Sequence, residues 1–83
     1  MIDTIIKRDG RRVSFDPQKI SEAIMKAFQA SNSAKTYKTA EELTRQVLQE
    51  LEKNESIGEP DVEEVQDTVE RVLIENGFVR TAK

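Results

Sequence analysis

The sequence predicts an α+β domain in which a small sheet covers helices. Three observations carry the prediction. Asp9-Gly10 stands between two β-prone runs, three sets of apolar residues recur at helical steps, and capping residues bracket those sets. Eighty-three residues make a single domain over 1–83, too small to enclose both a large core and a full catalytic cleft.

The runs Ile5-Ile6-Lys7-Arg8 and Arg11-Arg12-Val13-Ser14-Phe15 read as a β-hairpin, because Asp-Gly supplies the positive φ values that a two-residue loop needs. Such a loop pairs Arg8 with Arg11, Lys7 with Arg12, Ile6 with Val13 and Thr4 with Phe15. One face then holds Thr4, Ile6, Val13 and Phe15, suited to packing on helices. The other holds Ile5, Lys7, Arg12 and Ser14. Asp16-Pro17 opens the first helix, with Asp16 as N-cap and Pro17 where no N–H is missed. Its stripe is Ile20, Ala23, Ile24, Ala27 and Phe28, running to about Ala30. Residues 31–38 form a polar connector.

Thr39-Ala40-Glu41-Glu42 reads as a capping box that starts the second helix, with Thr39 as N-cap. Leu43, Val47, Leu48 and Leu51 form its stripe, and it ends near Lys53-Asn54. Ile57-Gly58-Glu59 fits a short extended piece, since the residue before Pro60 is biased away from helix. A third helix begins at Pro60 or Asp61, buries Val62, Val65, Val69, Val72 and Leu73, and ends at Asn76-Gly77. The helical period marks Val62, Val65, Val69 and Val72 as core rather than a cofactor box. The tail from Phe78 to Lys83 stops abruptly, as in a chain cut from something longer.

Composition removes much chemistry. The chain has no Cys and no His, so disulfides, thiolate metal sites, Cys nucleophiles and the commonest general base are excluded. No apolar run approaches the roughly 18 residues that span a bilayer, and nothing resembles a signal peptide, so the expectation is a cytoplasmic chain without a membrane partner. Net charge is −3, but residues 1–38 carry eight basic and four acidic side chains and the rest five basic and twelve acidic. Half the surface would repel phosphodiester backbones, which argues against a nucleic-acid binder and leaves room for a local anion site in the first third.

That site is sought at Lys7-Arg8-Asp9-Gly10-Arg11-Arg12, followed by Lys19. Four cations in six residues repel one another, and a bound phosphate would relieve the repulsion. A solvated, charged hairpin tip is the plainer reading of the same pattern. Lys19 lies in the first turn of a helix, where the dipole disfavours a cation, so it either completes a phosphate cradle or pairs with Asp16 or Glu22. The acidic set Glu59, Asp61, Glu63, Glu64 and Asp67 fits favourable charge at a helix N-terminus better than a Mg²⁺ site.

Ile5-Ile6-Lys7-Arg8-Asp9-Gly10, then Phe15-Asp16-Pro17-Gln18-Lys19-Ile20 and Ala23-Ile24, resembles the opening of the ATP-cone domain. Residues 62–70 are similar to the family's third-helix segment, so the likeness spans most of the chain. The resemblance implies a helical bundle of three helices plus a truncated fourth, capped by a small three-stranded sheet. It implies a non-catalytic regulatory module that binds ATP or dATP as competing effectors, with any Mg²⁺ carried by the nucleotide. Its partner would be the catalytic domain of a parent ribonucleotide reductase, whose subunit association the effector alters, with oligomerisation through the cone. ATP would leave that enzyme active and dATP would shut it down. The wording of the motif most resembles anaerobic ribonucleoside-triphosphate reductases.

Carried over by position, the resemblance implies that Lys7, Arg8 and Lys19 hold the triphosphate and that Ile5 and Ile20 lie beside the pocket. Asp16 would touch the adenine, cap the helix, or do both. Glu59 or Asp61 falls where a hydroxylated residue often meets the ribose. Val13 stands where some members carry an acidic residue against the base, which puts adenine recognition on backbone groups or Asp16. A fourth helix that supplies a phosphate-binding cation in some members would lie past Lys83, so this chain is expected to bind nucleotide weakly. In a regular ladder Lys7 and Arg8 point to opposite faces, so a shared triphosphate requires a distortion or an end-on site around residues 7–12. Two rivals stand: a protein-interaction module docking through its acidic helices, and the cone of a transcriptional repressor, which would follow a Cys-rich zinc ribbon.

Overall fold

The computed structural model describes residues 3–31, 35–54, 59–78 and 81. Strand β1 (Thr4–Ile6) pairs antiparallel with β2 (Arg12–Ser14) in the register Thr4 to Ser14, Ile5 to Val13 and Ile6 to Arg12. This is one residue out from the register predicted for a two-residue loop. The loop holds three residues instead: the Lys7 amide donates to the Arg11 carbonyl at 2.8 Å, and the Gly10 amide to the Lys7 carbonyl at 2.9 Å. Gly10 alone takes the left-handed conformation, at φ 88°. Asp9 makes the difference, because its carboxylate accepts from the Arg11 amide at 3.0 Å and from Arg11 Nε at 2.7 Å. A side chain bonded two residues ahead favours a turn ending in a left-handed glycine over the tighter Asp-Gly loop.

A one-residue slip exchanges the faces of a strand. Thr4 and Ile6 therefore share a face with Arg12 and Ser14, while Ile5 lies beside Val13 on the other. The third strand implied by the resemblance is, among the described residues, a single parallel bridge between Ile6 and Asp61. It is held by the Ile6 amide donating to the Pro60 carbonyl at 3.0 Å. Of the extended piece predicted at 57–59, Ile57 and Gly58 lie outside the described residues.

Helix α1 (Pro17–Ala30) starts as predicted, with the Asp16 carboxylate accepting from the Gln18 amide at 3.0 Å. Helix α2 (Tyr37–Asn54) starts earlier than the predicted Thr39 cap. Thr36 is the residue that caps it: the Thr39 amide donates to the Thr36 carbonyl at 3.1 Å, with the Thr36 hydroxyl at 3.4 Å. Thr39 and Glu42 thus lie inside the helix, since the Thr36 carbonyl already takes the Thr39 amide and the Ala40 amide, the latter at 3.3 Å. Helix α3 (Val62–Glu75) has Asp61 as N-cap, its carboxylate accepting from the Glu64 amide at 2.7 Å. It closes with Gly77 at φ 87°, Phe78 N–H donating to Leu73 at 2.8 Å and Gly77 N–H to Ile74 at 3.0 Å. That pair of bonds is the Schellman closure that Asn76-Gly77 predicts.

Helix α2 packs against both α1 and α3, which scarcely touch each other. The core is Ile24 and Phe28 from α1, Leu43, Val47 and Leu51 from α2, and Val72 and Leu73 from α3. Phe78 meets Phe28 edge-on with ring centres 5.2 Å apart. Buried hydroxyls are satisfied, Ser21 with Thr44 at 2.7 Å and Thr44 with the Ala40 carbonyl at 2.8 Å. The truncated fourth helix falls on residues of which only Thr81 is described; it is buried, with its hydroxyl 2.9 Å from that of Ser31. Among the described residues no helix is long and apolar enough to cross a membrane.

Candidate functional site

Because α1 and α3 scarcely touch, a cleft of about 590 Å³ opens between them under the hairpin. The hairpin roofs it with Ile5, Lys7, Val13 and Phe15, which the observed register brings to one side. One wall is α1 and its cap, through Asp16, Lys19, Ile20 and Ala23. The other is α3, through Val62, Val65, Gln66, Val69 and Glu70. A volume of this size suits a small organic ligand, and a mostly apolar interior with few polar groups at its rim is the usual form of such a site.

Five residues predicted from sequence line this cleft: Ile5, Lys7, Asp16, Lys19 and Ile20. Arg8 and Glu59 do not. Arg8 turns to a second hollow of about 430 Å³ at the hairpin tip, shared with Gly10, Asp61 and Glu63. Lys7 and Val62 line both hollows, so the two meet at Lys7. Lys7 and Arg8 both line the tip hollow but only Lys7 lines the cleft, and the three-residue loop is a distortion of the kind expected around residues 7–12. Glu59 stands on the face of the hairpin away from the cleft, one oxygen 2.6 Å from Arg12 Nε and the other accepting from the Thr4 hydroxyl. Asp61 is occupied as the cap of α3.

Charge separates the cations more sharply than position. Arg8 Nε lies 3.8 Å from Glu63, Arg11 Nε 2.7 Å from Asp9, and Arg12 Nε 2.6 Å from Glu59. The Asp9 carboxyl is held below its ordinary value by the Arg11 amide, then by the Arg11 guanidinium, with the Lys7 charge adding to both. Among the described residues neither Lys7 nor Lys19 has a carboxylate at ion-pair distance. The alternative pairing of Lys19 with Asp16 or Glu22 is therefore not made. Two ammonium groups without an ion-pair partner among the described residues line a largely apolar slot that also holds the carboxylates of Asp16 and Glu70. The arrangement is able to take an anion that carries a flat apolar body.

The α3 wall was missed by sequence reasoning. Val62, Val65 and Val69 are only half-buried because they line the cleft, although Val65 and Val69 also pack against the core; Val72 and Leu73 are the members of that stripe that are fully covered. The available signal was spacing: Gln66 and Glu70 follow Val62 at four-residue steps and so share its face. Among the described residues no group of three Asp or Glu side chains is gathered to hold a metal.

Comparison with known proteins adds to this geometry. The sequence profile of the ATP cone domain matches residues 3–83. The chain is 43% identical over 74 residues to a vitamin B12-dependent ribonucleoside-diphosphate reductase of Thermoplasma acidophilum, covering 89% of this chain and 9% of that one. It is 33% identical over 88 residues to the ribonucleoside-diphosphate reductase alpha subunit of Chlamydia muridarum, covering 96% of this chain and 8% of the relative. The corresponding subunit of Chlamydia pneumoniae gives 33% over 88 residues, with 99% and 8% covered. The chain thus spans less than a tenth of the length of these relatives.

Proposed function

The chain belongs to the ATP-cone family, and from that premise we propose that it is a non-catalytic regulatory module that binds ATP or dATP and controls the activity of a ribonucleotide reductase. The observation that carries the proposal is the pair Lys7 and Lys19, which line an apolar cleft and have no carboxylate at ion-pair distance among the described residues. The adenosine lies between the hairpin roof, Ile5 and Val13, and the helix walls. The phosphates run toward Lys19 and Lys7, where the two hollows meet, and the terminal phosphate reaches on to Arg8 at the tip. Asp16 keeps one oxygen on the Gln18 amide and offers the other to the exocyclic amine of the base.

Mg²⁺ reaches the site on the triphosphate and keeps most of its waters. The module binds without turnover in this reading, which the composition supports: the chain has neither His, the commonest general base, nor Cys, the most reactive nucleophile. The effector acts instead on how the cone sits against the catalytic part of its parent, and through that on subunit association. The relatives named as diphosphate reductases support a reductase parent; the anaerobic triphosphate class rests on the wording of the opening motif. Calorimetric titration with ATP, dATP and GTP tests the reading. Binding selective for adenine supports it, and no binding of any of the three by the folded chain rejects it in favour of a docking module.

A further inference from the structure

Glu59 has no place in the cleft, yet both of its carboxylate oxygens are engaged. One lies 2.6 Å from Arg12 Nε on β2, and the other accepts from the Thr4 hydroxyl on β1. Thr4 and Arg12 share the face of the hairpin turned away from the cleft. The next residue is Pro60, whose carbonyl takes the Ile6 amide at 3.0 Å. A single carboxylate therefore ties both strands to the segment that leads into α3. The Glu59 side chain is 22% exposed against 72% for Arg12, so the carboxylate is the sheltered half of the pair.

An anchor of this kind is needed. Each strand has three residues, and a two-stranded ladder that short is marginal alone. The roof residues Ile5 and Lys7 belong to it, and their height above α1 and α3 is set by whatever fixes the hairpin to the helices. We propose that Glu59 is a positioning residue of the cleft: it clasps the hairpin from its outer face and sets anion affinity through Lys7 without touching the ligand. This rests on the nucleotide reading above and gives Glu59 a different part from the ribose contact implied by the family resemblance.

The test titrates ATP and inorganic tripolyphosphate into the chain, Glu59→Ala, Arg12→Ala, and the charge swap Glu59→Arg with Arg12→Glu. Loss of the clasp weakens both ligands by a common factor of about five to ten, below the tenfold or more of a direct charge-assisted hydrogen bond because Glu59 acts only through Lys7, and the swap restores most of it. Amide exchange supplies a readout that general destabilisation would not imitate. In Glu59→Ala without ligand the Ile6 amide exchanges faster, while the Phe28 and Val47 amides keep their protection. A loss confined to ATP assigns Glu59 to the ribose and overturns the clasp. So does unchanged affinity in Glu59→Ala when Lys19→Ala has lost binding. A wild-type chain that binds neither ligand overturns the nucleotide reading; Ile6 exchange then judges the clasp alone, and an unchanged rate overturns that too.

Discussion

The cations of the hairpin and of the first helix divide into two groups by kind. The three arginines, 8, 11 and 12, lie at the tip and on the outer face, each against a carboxylate from Glu63, Asp9 or Glu59. Two of the three lysines, 7 and 19, line the cleft and meet no such partner among the described residues; the third, Lys26, has no such partner either but lies outside the cleft. The crowd of positive charge that looks in the sequence like an invitation to phosphate is mostly settled within the protein. Guanidinium groups fork onto nearby carboxylates, whereas an ammonium on a flexible stem stays available as a point charge. What signals a ligand is therefore unpaired charge at the wall of a cleft, not the charge collected.

The heaviest test of that division removes the leftover charges. Lys7→Ala and Lys19→Ala each weaken ATP by about ten- to a hundredfold, the range for hydrogen bonds to charged groups, with the thermal unfolding midpoint little changed. Arg11→Ala leaves ATP affinity where it was. Calorimetry on the three variants checks the contrast, and equal losses in all three would erase it.

Asp16 sharpens the picture because it is the anion on the same rim. Its carboxylate caps α1, and asparagine caps nearly as well, whereas alanine costs about 1 kcal/mol of stability. Asp16→Asn is expected to keep the unfolding midpoint and narrow the preference for ATP over GTP. Asp16→Ala lowers both. If Asp16→Asn retains full adenine preference, the base is read elsewhere, by backbone groups along the roof.

The helices were legible because each carries its own punctuation. Asp16-Pro17, Asp61 and Asn76-Gly77 mark ends that the hydrogen bonds then satisfy. The hairpin register was not, since Asp9-Gly10 serves a two- or a three-residue loop, and the choice turns on the Asp9 side chain reaching the Arg11 amide. The start of α2 was lost similarly, between two threonines that can each cap. At the site, Lys7 and Lys19 could be picked out by motif, but a stripe of valines does not say whether the space it faces is filled by protein. The contacts of Glu59 were not legible because its partners, Thr4 and Arg12, lie about fifty residues away in the chain.

Glu63 offers a finer measurement at the tip. In the free chain it stands 3.8 Å from Arg8, with both side chains well exposed, so the pair is weak. A terminal phosphate that recruits Arg8 must displace it. Glu63→Gln is expected to tighten ATP by about twofold, the scale of an exposed ion pair, and to leave AMP unaffected. Equal tightening for AMP would mean a general change in potential around the cleft rather than release of Arg8.

The smallest effect concerns the turn itself. Asp9 titrates below the ordinary 3.8 because the folded loop aims the Arg11 amide and guanidinium at its carboxylate. A depressed folded pKa means that the unfolded chain takes up this proton first. The contribution of Asp9 to stability is thus complete above pH 3.8 and fades as the pH drops through the lower folded value. Carboxyl-carbon NMR reads that titration directly. Arg11→Ala removes the guanidinium and spares the amide, the larger cause, so the Asp9 pKa climbs only part of the way back. A full return would put the guanidinium, not the backbone, in charge of the turn, and the three-residue loop would then owe its register to Arg11 as much as to Asp9.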